Sequence, residues 1–192
     1  MRALHQPVHL AELVELYRIT EPYLTPLSNL QPRFNFAPTD TGPVLRLDRE
    51  GRREPVMMRW GLVPSWAKDA KGGAAMINAK AESVTEKSAY RKAFVSRPCL
   101  VPADGFYEWK HGDLFTKVKT PYRFELATSE PFAFAGLWQD EEDQPGKTEP
   151  RRSTRRCTAF KKKPSHAVSS HERGAAPDSA CQRARWWLRE SG

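Results

Sequence analysis

The stretch "GFYEWK", Gly105 to Lys110, sets one carboxylate among three aromatic rings. Extended as a strand, it sends Phe106, Glu108 and Lys110 to one face and Tyr107 and Trp109 to the other. Glutamate is a poor strand residue and costly to bury. A carboxyl group against apolar walls is desolvated, and its pKa rises toward the range where it can give and take protons near neutral pH. The ordinary alternative is a strand-end glutamate with its head in water, paired to Lys110, which is how most glutamates sit. A second polar candidate is Asn78, in "INAKAE" (77–82). Its amide can hold a chain terminus or a phosphate, or it can cap the helix that follows. Lys80 beside it suits contact with a phosphate backbone, without the bidentate fork of arginine. Trp60, Trp66 and Trp109 offer flat rings on which unpaired bases stack irrespective of sequence. Trp60, inside a strand pattern, reads as core, whereas Trp66, in a loop after Pro64, is better placed to stack. Pro38 in "APTD" can shape the floor of a site. Arg91 and Lys92 are solvated charges with phosphate contact as a further role. Cys99, in the apolar strand "RPCLVP", reads as a buried, inert thiol rather than a nucleophile.

Several elements must position these groups. "PVHLAELVELYRI" (Pro7–Ile19) spaces Leu10, Leu13, Val14 and Tyr17 as one face of an amphipathic helix. Five prolines between residues 20 and 43 dictate an extended segment. "PVLRLDREGRREPVMMRWG" reads as two strands about a turn at Glu50-Gly51, and "VPSWAKDAKGGAAM" as loop. "SVTEKSAYRKAF" predicts a short helix and "CLVPADGFYEWK" a strand, a turn and a strand. "HGD" suits a tight turn, and "PYRFEL" and "FAFAGLW" are two more strands. The order is mixed, without strand–helix alternation, which predicts an α+β domain dominated by curved, mostly antiparallel sheet.

The chain has 192 residues, enough for one domain over 1–150 and a tail over 151–192. The net charge of +8 belongs wholly to the tail: residues 1–150 hold 20 basic and 20 acidic residues, and 151–192 hold 11 and 3. The tail contains no Ile or Met and one each of Val, Leu and Phe, so it is expected to be poorly ordered or altered. No run is long and apolar enough to span a membrane, and "MRALHQPVHL" does not look like an export signal. Three cysteines, Cys99, Cys157 and Cys181, without a CxxC pair argue against a disulfide framework or a zinc site. A cytoplasmic protein without metal or nucleotide cofactor is expected.

Five stretches, "FNFAPTD" (34–40), "RWGLVPSWAKD" (59–69), "INAKAE", "PCLVPADGFYEWK" (98–110) and "FAFAGLW" (132–138), together resemble the SOS-response-associated peptidase (SRAP) family of abasic-site processing proteins. The resemblance runs unbroken over roughly residues 8–140. It implies a single domain acting as a monomer on single-stranded DNA near the nucleoid, with covalent capture of abasic sites through the N-terminus. A terminal amine has a pKa of about 7.7–8.0, so part of it is neutral at pH 7 and can condense with the sugar aldehyde. A neighbouring thiol then closes the imine to a five-membered ring, helped by high effective molarity. Glu108 matches the family's catalytic acid/base. Asn78 and a histidine, best matched by His171 in "HER" with His166 as the alternative, would complete the catalytic set. Pro38, Trp66, Lys80, Arg91 and Trp109 would line the DNA path.

Two departures bear on activity. The family places cysteine directly after the initiator methionine, where this sequence has Arg2 and no cysteine before Cys99. The histidine segment lacks the β-branched residues and proline that flank it in the family. Stable crosslinking is therefore expected to be impaired, which leaves the status of the chain as an enzyme open. A noncatalytic single-stranded DNA-binding module is the alternative function, and self-processing peptidase activity a third.

Overall fold

The computed structural model describes residues 3–6, 10–19, 32–64, 76–111, 119–140 and 156–161. Helix α1 (Leu10–Tyr17) forms inside the predicted amphipathic stretch and buries Leu13 and Tyr17. It ends where Arg18 turns left-handed at φ 46°. The amide of Ile19 then reaches back to the carbonyl of Val14, at 3.0 Å, and that of Arg18 to Glu15. This pairing satisfies the last carbonyls and swings Ile19 into the core. Strands β1 (Ala3–Gln6) and β2 (Arg33–Phe36) flank the helix in sequence. β3 (Thr41–Leu47) and β4 (Arg53–Trp60) then form the predicted hairpin. Its turn is closed by Asp48, whose carboxylate accepts the amides of Glu50 and Arg52, and Gly51 takes the φ of +81° that the turn requires.

β5 (Asn78–Lys80), a single 3-10 turn (Ala81–Ser83) and α2 (Ser88–Ser96) follow. Asn78 lies within β5 and caps neither helix, whose N-caps are Lys80 and Lys87 without side-chain bonds, so the capping role is not used. β6 (Pro98–Ala103), β7 (Gly105–His111), β8 (Lys119–Phe124) and β9 (Phe132–Gln139) match the strands read from the sequence.

These strands make two sheets. One runs β2-β1-β7-β8, and the other β4-β3-β6-β9-β10-β5, with β4 also paired to β10 (Arg156–Lys161). The second sheet therefore closes on itself: β4, β3, β6, β9 and β10 form a ring, with β5 continuing the edge of β10 beyond β4. The chain crosses from the ring to the four-stranded sheet at Asp104-Gly105. Glycine is needed there, because a Cβ would stand 3.0 Å from the carbonyl oxygen of Phe124. Leu4 and Phe36 of the smaller sheet pack on Val44, Met58, Trp60, Cys99, Val101, Cys157 and Ala159 of the larger one, and this is the main core. α1 covers Leu45 and Leu100, and α2 covers Leu137 and Ala79.

β10 is the point on which the fold differs from the sequence reading. It lies in the basic tail, yet Cys157, Thr158 and Ala159 are buried and Arg156 is almost wholly so. A six-residue strand needs little apolar composition when three neighbours supply its pairing and its walls. The remainder of the tail, with His166 and His171, lies outside the described residues, as do the "HGD" turn and the loop carrying Trp66.

Candidate functional site

Glu108 stands in the middle of β7, opposite Tyr122 of β8 across the antiparallel ladder. Paired residues share a face, so Phe106 with Phe124 and Lys110 with Thr120 flank the carboxylate on the same side. The inner flank is fixed: Phe106 stacks on Phe124 at 5.2 Å between centroids and meets the edge of Phe134 at 5.6 Å. Outward from this anchor opens a concavity of about 370 Å³ lined by Glu108, Trp109, Lys110, Tyr122 and Phe124. Glu108 is half-buried there, while Tyr122 and Phe124 are each 47% exposed. The expected aromatic wall exists, but two of its rings come from the next strand. The alternation in "PYRFEL", with Tyr122 and Phe124 two apart, was the signal for them.

β1 lies on the other flank of β7. Ala3, Leu4 and His5 face Tyr107, Phe106 and Gly105, so the strand runs antiparallel and its first described residue is one ladder position short of Glu108. Leu4 points into the core among Phe36, Trp60 and Ala159. On the opposite face, the His5 ring meets the carboxylate of Asp104, Nδ1 to Oδ1 at 2.6 Å, with the edges of Phe34 and Tyr107 around it. Both side chains are largely buried. Neither residue stood out in the sequence, because they are 99 positions apart and each is ordinary in its own segment.

Three of the remaining candidates, Pro38, Asn78 and Lys80, lie on segments bonded to Trp60. This ring is 2% exposed, stacks on Phe36 and donates its indole N–H to the carbonyl of Ile77, the residue before Asn78. Its core role is as expected. Pro38 sits in the turn after β2, pinned to the same tryptophan by the Thr39 amide donating to the Trp60 carbonyl at 2.9 Å. Asn78 is half-buried and Lys80 exposed, and both pair with β10, at Ala159 and Lys161. The Tyr90 hydroxyl reaches the Asn78 carbonyl at 3.5 Å. Arg91 is exposed on α2 and donates to the carbonyl of Glu86. Thus Glu108 and Trp109 form one group, Pro38, Asn78 and Lys80 a second, and Arg91 belongs to neither. β1 links the groups, since Leu4 packs with Trp60 while pairing with Phe106.

Two thiols lie in the core. Cys99 and Cys157 are buried, on strands that flank β9 from opposite sides. Two ladder spacings, roughly 9–10 Å, are too far for a disulfide. Burial pushes the Cys157 thiol up to about 12 and, with Cys157 nearby, holds Cys99 well above the ordinary thiol range. Among the described residues, no helix is long and apolar enough to cross a membrane.

The sequence matches the family described as SOS response associated peptidase (SRAP) over residues 5–191. It is 47% identical over 115 residues to the abasic site processing protein YoaM of Bacillus subtilis, covering 59% of this chain and 49% of that protein. To the abasic site processing protein YoqW of the same organism it is 38% identical over 167 residues, covering 84% of this chain and 68% of that one. The chain therefore spans about half to two thirds of the length of these relatives. Its fold is shared by a protein of Bacteroides thetaiotaomicron of known crystal structure, with a TM-score of 0.64 at 16% identity over 84% of this chain and 68% of the other.

Proposed function

This chain belongs to the SOS response associated peptidase family, and on that premise we propose that it processes abasic sites in single-stranded DNA, with Glu108 as the group that moves protons at the sugar. The observation that carries this is the course of β1, which runs along β7 to within one ladder position of Glu108. An amine delivered by that strand would attack the C1′ aldehyde of the opened sugar. Glu108 would pass the two nitrogen protons in turn to the oxygen, the first giving the carbinolamine and the second letting the oxygen leave as water, so that an imine forms. Lys110 on the same face offers a cation for a flanking phosphate, and Tyr122, Phe124 and Trp109 offer surfaces for unstacked bases. Asn78 and Lys80, across β1, would hold the strand on the other side.

With Arg2 where the family carries cysteine, no thiol closes the ring, and the imine remains open to hydrolysis. The unsubstituted protein, incubated with single-stranded DNA bearing an abasic site, should therefore give a shifted band on a denaturing gel only when borohydride is present. Arg2→Cys should give a band without reductant. A reductant-independent band from the unsubstituted protein would overturn the claim of impairment. No band from either protein would overturn covalent capture. Retained DNA binding in that case would support the second reading, a noncatalytic single-stranded DNA module, which the half-exposed rings of Tyr122 and Phe124 favour.

A further inference from the structure

We infer that His5 and Asp104 act as a positioning clamp that sets the register of β1 on β7, and so fixes where an amine carried by β1 meets a sugar held at Glu108. The inference rests on the proposed capture chemistry for its functional consequence, but not for the clamp itself.

β1 is four residues long and its two neighbours do not hold it equally. Against β7 the ladder is regular, with Ala3, Leu4 and His5 facing Tyr107, Phe106 and Gly105. Against β2 it is not: Leu4 faces Phe36 and Gln6 faces Arg33, so His5 alone stands opposite two residues of β2, Phe34 and Asn35. The extra residue thus lies on β2, and the ladder around His5 is disrupted on that side. At that residue a side-chain bond appears instead. His5 Nδ1 and Asp104 Oδ1 are 2.6 Å apart, and the Asp104 amide donates to the His5 carbonyl at 3.1 Å. The two residues are thus joined twice, once through side chains and once through the backbone. Asp104 is where the chain crosses from the ring to the four-stranded sheet, so the clamp ties β1 to a fixed corner. Its second oxygen faces Arg123 Nη2 at 3.6 Å, and Arg123 is itself held by Glu125 at 2.8 Å. Phe34 and Tyr107 close over the imidazole edges.

Register matters because a slip of one residue moves the strand by about 3.4 Å and turns every side chain to the other face. Leu4 would leave the core, and whatever β1 carries would miss Glu108. A displacement of about 1 Å at a reacting centre can already cost a hundredfold in rate. His5 and Asp104 are positioning residues in this account and touch no substrate.

The test is single-turnover, borohydride-trapped adduct formation on an abasic oligonucleotide, measured across DNA concentrations for the full chain. His5→Ala should lower the saturating rate by about tenfold or more, with half-saturation within about twofold. His5→Asn, whose Nδ2 occupies the place of the ring Nδ1, should restore most of the rate. An unchanged rate in His5→Ala, a loss confined to half-saturation, or an Asn variant no better than Ala would each overturn the inference. If His5→Ala does not fold, Asp104→Asn replaces it, with a smaller fall in rate expected and an unchanged rate overturning. If the unsubstituted protein traps nothing, amide hydrogen exchange decides the clamp, and the capture reading falls only if Arg2→Cys traps nothing either. Exchange in residues 3–6 should then rise about tenfold in His5→Ala, stay unchanged in β3, and return in His5→Asn. Unaltered exchange in residues 3–6 would overturn it.

Discussion

The two sheets solve opposite problems. The larger one closes on itself: β10 bonds to β9 on one side and to β4 and β5 on the other, which leaves only β5 at an edge among the described residues, and β6 is buried from Cys99 to Ala103. The smaller one keeps an edge. All six residues of β8 are exposed, and Phe34, Tyr122 and Phe124 present large apolar surface to solvent. An exposed strand with aromatic side chains is a liability unless something binds there. Glu108 sits on the strand next to it. The division teaches that the ring supplies stability, while the four-stranded sheet spends some of its own on an exposed apolar surface.

That division can be broken by mutation. Glu108→Gln should reduce trapped-adduct formation by about 10²–10⁴-fold, with little change in the thermal midpoint measured by circular dichroism. A comparable loss of stability would show that Glu108 belongs to the scaffold. Trp60→Ala, in the ring, should do the reverse at nearly the same scale, costing about 3–5 kcal/mol in urea titration through a cavity beneath Phe36. The buried thiols give the ring a signature in alkali. In the unfolded chain a thiol ionises near 8.5, whereas Cys157 in the fold is pushed up to about 12. Its contribution is fully present below the unfolded value and is lost as the pH rises toward 12. Stability should fall through this window, and Cys157→Ala should flatten the slope by about 1.4 kcal/mol per pH unit. The smallest effect should be a gain. Thr158 is fully buried, and its hydroxyl has no hydrogen-bond partner among the described residues. Thr158→Val keeps the shape, removes the unsatisfied group and should stabilise by about 1 kcal/mol, read from the denaturation midpoint.

Much of this was legible in the residues. The helix at Leu10–Tyr17, the hairpin about Gly51 and the strands β6 to β9 follow from periodicity and turn chemistry, both of which are local. Trp60 and Cys99 are core residues because their segments are apolar strands. What escaped is non-local. β10 is a strand because β4, β5 and β9 surround it, and its own sequence, "RCTAFK" between charged runs, reads as solvated. The His5–Asp104 pair depends on a strand crossing that no spacing announces. Around Glu108 the sequence placed the carboxylate on a strand among aromatic rings, but Tyr122 and Phe124 enter only through the β7–β8 register. Asn78, a candidate for a cap, is a strand residue because β10 pairs with it.

The late position of β10 has a consequence for how the protein is made. On a ribosome, β3, β4, β6 and β9 emerge well before residues 156–161, and until then the β4 and β9 edges lack their partner. The ring cannot close until residues 156–161 are out of the exit tunnel. Closure joins Trp60 to Cys157 across a long stretch of intervening chain, so it must await a slow, non-local encounter. During that interval the nascent chain exposes paired-strand edges to its neighbours on the polysome. A message truncated before codon 156 would leave that exposure permanent.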